Sequence, residues 1–161
     1  MHLRFALVLL TLCLSFWAAP ATAKIYDLAF ISVDIPDTCH FMTRDGAVFV
    51  VNEEDNFFTI TILERDPEIS LEDAVQKLAQ AISGGPISQV GENTWTFFVK
   101  VAVVPFDVLV MGDDAYVIEV FTDQNQATWP EDIAGSFASI KGKKPELDSL
   151  LQKALQAARK K

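Results

Sequence analysis

Apolar residues recur along this chain with two periods, near two and near 3.6, and the switches between them mark its elements. Residues 28–33 form a short apolar stretch that runs into Asp34-Ile35-Pro36-Asp37, where Pro36 cannot donate to a sheet ladder, so a strand ends at a turn. Residues 39–43 read as a second short strand, and Asp45-Gly46 as a turn. Residues 47–51 and 57–63 are strand-like and rich in Val, Phe, Ile and Thr, with Asn52-Glu53-Glu54-Asp55-Asn56 as the polar loop of a hairpin. Phe58, Ile60 and Ile62 share one face while Thr59 and Thr61 share the other, which makes one side wetter. Ser70 then opens the clearest helix. Asp73 stands at N3 in a capping-box arrangement, Glu72 complements the helix dipole, and Leu71, Ala74, Val75, Leu78 and Ile82 form one apolar stripe. Gly84-Gly85-Pro86 stops it, since glycine accepts a left-handed cap and proline cannot continue the ladder.

Three longer apolar segments follow residues 87–90 and the turn Gly91-Glu92-Asn93: residues 94–104, 106–111 and 115–122, the last two joined by a tight hairpin at Gly112-Asp113. They carry apolar residues on both faces, as with Val117 and Phe121 opposite Tyr116, Ile118 and Val120, so helices or another layer must cover much of the sheet. Trp95 and Phe97 face one way and Phe98 the other, which reads as core filling on a two-sided sheet. A second helix begins near Thr128 or Pro130 and carries Ile133, Phe137 and Ile140. Pro145 opens a third with the stripe Leu147, Leu150, Leu151, Ala154, Leu155 and Ala158. The expected fold is α+β, an antiparallel sheet flanked by helices with an amphipathic C-terminal helix.

The first 23 residues obey a different logic. Arg4 provides a positive start, residues 5–19 an apolar stretch, and Ala21-Thr22-Ala23 an A-x-A cleavage site after the helix breaker Pro20. The stretch is shorter than the roughly 18 apolar residues of an anchor, and Cys13 follows Leu12 rather than a lipidation-type small residue. Cleavage after Ala23 is therefore expected, placing the protein in the periplasm or outside the cell with Lys24 first. The expected organisation is a signal peptide over 1–23, one α+β domain over 24–140 and a basic amphipathic helix over 141–161.

Charge sharpens this division. Residues 24–140 hold 5 Lys/Arg against 20 Asp/Glu, a net of −15, whereas residues 141–161 hold 7 against 2, a net of +5. Phosphate backbones bind surfaces rich in Lys and Arg, so the acidic body argues against nucleic acid. The exported chain keeps one cysteine, Cys39, and one histidine, His40. That pairing invites a Cys/His nucleophile, but adjacent side chains of an extended segment diverge to opposite faces, leaving a buried Cys39 beside a half-exposed His40. Two such residues are too few for a structural zinc site. The acidic clusters Glu53-Glu54-Asp55 and Asp113-Asp114 lack the ligand spacing and glycine of a calcium loop and read as solvated turns. Gly84-Gly85-Pro86 ends a helix rather than preceding one, so it is no phosphate cradle. No catalytic, cofactor-binding or metal-ligating residue is assigned, and no cofactor is expected.

The order of elements resembles the PsbP-like superfamily, which includes the photosystem extrinsic protein, a nuclear Ran-binding factor and bacterial DcrB-type envelope proteins. The resemblance rests on residues 30–36 and 57–63, Ser70-Leu71-Glu72-Asp73 and Ser136-Phe137, and spans roughly residues 28–140. It implies a central antiparallel sheet flanked by helices and a non-enzymatic domain serving protein assemblies. The segment from Lys141 onward departs from that pattern. Its Leu147, Leu150, Leu151, Lys153, Leu155 and Arg159 are the candidate partner-binding residues: either they dock on the acidic body, or they detach to engage a protein or anionic lipid head groups. The functional expectation is an exported, non-catalytic envelope protein that binds or helps assemble other proteins. The alternative is a small-ligand-binding protein or hydrolase.

Overall fold

The computed structural model describes residues 23–44, 46–101, 104–123 and 128–159. Residues 1–22 of the expected leader, Asp45, residues 102–103 and 124–127, and the last two lysines lie outside them. Among the described residues, ten strands and three helices follow in the order β1 (Lys24–Asp27), β2 (Ile31–Ile35), β3 (Cys39–Arg44), β4 (Ala47–Asn52), β5 (Phe57–Glu64) and α1 (Leu71–Ala81). After these come β6 (Ser88–Gly91), β7 (Thr94–Val101), β8 (Val104–Gly112), β9 (Tyr116–Asp123), α2 (Glu131–Ser139), β10 (Lys141–Gly142) and α3 (Pro145–Arg159). Seven strands form one antiparallel sheet in the order β3-β4-β5-β9-β8-β7-β6, and β1-β2-β10 form a smaller one. The fold is α+β, as the periodicity predicts.

The large sheet separates two cores. On one face, Val48, Val50, Phe58, Ile60, Ile62, Ile118 and Val120 pack with Ile31, Val33 and Ile35 of the small sheet, Ile133 and Phe137 of α2, and the leucines of α3. On the other, Trp95, Phe97, Val99, Val108, Val110 and Val117 pack beneath Leu71, Val75 and Ala79 of α1. Segment 141–161 opens with β10, which pairs with β2, and continues as α3, whose Leu147, Leu150, Leu151 and Leu155 are buried in the first core.

Several expectations need correction. β1 escapes a period-based reading because it spans four residues and is stabilised by pairing with β2 from Lys24↔Ile35 to Asp27↔Ser32. The segment expected as one strand over 94–104 is β7 and the start of β8, which pair from Thr94↔Met111 to Val101↔Val104. Pro105 lies inside β8, where it stands opposite Lys100 of β7. Helix α1 is capped as expected: the Ser70 hydroxyl oxygen accepts from Asp73 N–H at 3.1 Å and its O–H donates to the Asp73 carboxylate at 2.7 Å. The left-handed residue past its end is Ser83, at φ 56°, not glycine. Gly84 is needed for space, because a Cβ there would stand 2.7 Å from the Phe97 ring.

Phe98 is not core. Trp95 and Phe97 are buried under α1, but Phe98 points to the opposite face and is 51% exposed. On that face α3 packs over β8 and β9, and Thr94 and Thr96 of β7 are buried, whereas Phe98 and Lys100 at its far end are exposed.

Candidate functional site

The turn after β2, the end of β4 and the first turn of α2 converge on one carboxyl. Asp132 Oδ2 accepts from the Thr38 hydroxyl at 3.0 Å and from the Cys39 thiol at 3.7 Å, while Oδ1 accepts from Asn52 Nδ2 at 3.4 Å and Ile133 N–H at 2.8 Å. Burial pushes the Asp132 pKa up, but the Ile133 N–H, Thr38, Asn52 and Cys39 outweigh it and hold the carboxyl below its ordinary range. The same geometry acts oppositely on the thiol: burial first, then the Asp132 charge, raise the Cys39 pKa. A protonated thiol facing a carboxylate donates a hydrogen bond and is no nucleophile at neutral pH. His40 is exposed on the other face of β3, so the Cys/His pair does not form.

Around Asp132 opens a cavity of about 660 Å³, rimmed by Asp34, Glu53, Glu54 and Glu131 and also lined by Ala23, the residue before the expected cleavage point. Glu53, Glu54 and Glu131 face solvent, and Asp34 is half-buried. Asn52, 5% exposed, accepts from Glu54 and Asn56 N–H at 3.1 and 3.0 Å, which shapes the acidic loop as a turn. At the other cluster, Asp113 Oδ1 accepts from Ala115 and Tyr116 N–H, each at 2.8 Å, and Asp114 pairs with Arg65 at 3.3 Å. Among the described residues no three or more His, Cys, Asp or Glu side chains gather as metal ligands.

The second distinctive surface is the half of the large sheet that α1 leaves open. On that face of β3, β4, β5 and β9, Phe49, Phe57 and Phe121 are half-buried, Met42 is 66% exposed and Leu63 is 42% exposed. The rings form a continuous layer: Phe57 lies 5.3 Å from Phe49, 6.0 Å from Phe121 and 5.2 Å from Phe106, between centroids. Within this layer stands Glu119, flanked along β9 by Val117 and Phe121 and across the strands by Thr61 and Val110. Burial raises its pKa, and the hydrogen bond with Thr61 only partly offsets this. No described cation pairs with it.

Of the residues proposed for a binding tail, Leu147, Leu150, Leu151 and Leu155 are buried in the domain's own core; Lys153 is exposed, and Arg159 lies over the Phe137 ring at 5.4 Å. Asp132 was indistinguishable among so many acids. Glu119 carried a readable signal, one charge inside the apolar run of residues 115–122, which the two-face alternation passes over.

No protein-family model and no curated protein matches this chain. Among solved structures, it is similar to the solution structure of cyanobacterial PsbP (CyanoP) from Synechocystis sp. PCC 6803, at 12% identity and a TM-score of 0.45, over 78% of this chain and 95% of that one. It is also similar to a crystal structure from Bacteroides thetaiotaomicron VPI-5482, at 12% identity and a TM-score of 0.42, over 77% of this chain. The chain spans about half the length of that second protein, since 50% of it is covered. The likeness is one of element arrangement, at an identity that transfers no residue's role.

Proposed function

We propose that this is an exported, non-catalytic protein that binds a protein partner in the cell envelope and serves its assembly. The observation that carries the reading is the open half of the large sheet, where half-buried Phe49, Phe57 and Phe121 adjoin exposed Met42 and Leu63. A contiguous apolar surface of this kind on a domain with two complete cores is the signature of an interaction site. The Asp132 cavity supports the same reading by its chemistry: burial and the Asp132 charge raise the Cys39 pKa, and the Asp132 carboxylate already accepts from Thr38, Cys39, Asn52 and Ile133 N–H. Export follows from the leader pattern, and cleavage after Ala23 lets β1 begin at the new N-terminus.

The test is a photo-crosslinking amino acid placed at Met42, and at exposed Gln76 of α1 as a control, in living cells. A discrete protein adduct from position 42 and none from 76 is the expected result. Identical adducts from both positions, or none from either, overturn the protein-binding reading. N-terminal sequencing of the envelope material is expected to start at Lys24, and recovery with the leader intact in the cytosol overturns export.

A further inference from the structure

Resting on that protein-binding reading, we infer that the open sheet face receives an apolar partner segment carrying a lysine or arginine, whose charged end pairs with Glu119. The face is defined by what covers it. α1 reaches Val110 and Val117 through Leu71, Val75 and Ala79, and α2 and α3 lie on the opposite side of the sheet. Glu119 therefore sits on the border between a covered half and an open aromatic half. Its surroundings are wrong for a free carboxylate: Val117 and Phe121 on its own strand, Val110 on one side, and Thr61 as its hydrogen-bonding neighbour on the other.

An ionised carboxylate taken out of water wants a cation or several donors. This one has a single hydroxyl. Arg44 stands in the same cross-strand row, through Ala47 and Thr61, but three strands away, roughly 14 Å at the usual strand spacing. α1 turns Leu71, Val75 and Ala79 to the sheet and leaves Lys77 exposed, β8 presents Val108 and Val110, and Arg65, just beyond β5, is engaged with Asp113 and Asp114. The missing group is one that the molecule does not hold. Charge complementarity selects a cation, and the rings of Phe57 and Phe121 select an apolar stem behind it, which together describe a lysine or arginine side chain snorkelling across an apolar contact. The acidic character of residues 24–140 favours the approach of a basic segment over a second copy of this chain.

The probe is hexylammonium, an apolar stem with one ammonium, titrated into the purified protein at pH 8 and followed by NMR at Thr61, Glu119 and Phe121. Hexan-1-ol, with the same stem and no charge, is the control. The expected result is saturable binding of hexylammonium at these three residues, about tenfold tighter than hexanol. Glu119→Gln removes that preference while raising the melting temperature at this pH, since it relieves an unpaired, half-buried charge among apolar neighbours. Equal binding of both probes, an unchanged preference in E119Q, or a lower melting temperature for E119Q overturns the inference; so does a concentration-dependent dimer that buries Glu119. Crosslinks from position 42 that persist alongside such a failure leave the protein-binding reading standing and remove the cation alone, whereas loss of the crosslinks removes the broader reading.

Discussion

At Asp132, burial and hydrogen bonding pull one carboxyl in opposite directions, and hydrogen bonding wins. Four donors hold it ionised below the ordinary carboxylate range. A carboxyl whose pKa is lower folded than unfolded adds stability above its unfolded value, about 3.9, and loses that stability as pH falls through the folded value. Urea denaturation between roughly pH 5 and 2 is thus expected to show a loss of stability on acidification that Asp132→Asn lacks, because the amide keeps an acceptor but cannot take up the proton. An identical acid slope in both proteins would show that the donors do not favour the charged form. Cys39 is the counterpart: burial, which the sequence predicts, raises its pKa most, and a carboxylate 93 residues away, which no local pattern displays, raises it further.

Helix α1 shows how an element can be legible while its punctuation is misread. Ser70, Asp73 and the stripe through Val75 are local facts, and the structure reproduces them. The stop is different: the cap conformation falls on Ser83, and Gly84 is small because the Phe97 ring presses against it. Two substitutions separate these roles. Ser83→Gly is expected to stabilise the protein by up to about 1 kcal/mol by relieving an L-residue in left-handed space. Gly84→Ala is expected to cost about 1–3 kcal/mol by overpacking the ring. Thermal denaturation of both checks this, and the reverse order would return the cap to the glycine. The β7–β8 hairpin carries the same lesson, since Pro105 looks like a strand terminator until the register places it inside β8, opposite Lys100.

At the scale of the molecule, the seven-stranded sheet is a partition with unequal covering. One face is covered by α2, α3 and the small sheet except around Phe98, the other only where α1 lies. Because Leu151 is fully buried in the first core, Leu151→Ala is expected to cost about 2–5 kcal/mol, and truncation after Lys141 to abolish the cooperative melting transition. A truncated chain that melts like the full protein would show that α3 is not part of the core. Charge asymmetry fits this arrangement, since the basic segment lies on the acidic body.

The amino-acid sequence by itself determined the periods, and through them the existence and order of most strands, all three helices, the Ser70 cap, and the inward faces carrying Phe58, Ile60, Ile62 and Phe137. Those features depend on neighbours within a few residues. Alternation assigns a strand residue to one of two faces, but only packing decides which face is covered. Phe98 and Phe97 are adjacent aromatics of equal hydrophobicity, one 51% exposed and the other 2%. Tertiary structure likewise brought Cys39, Asn52 and Asp132 together and left Glu119 facing an uncovered aromatic layer. These are the long-range contacts from which any function of this chain must come.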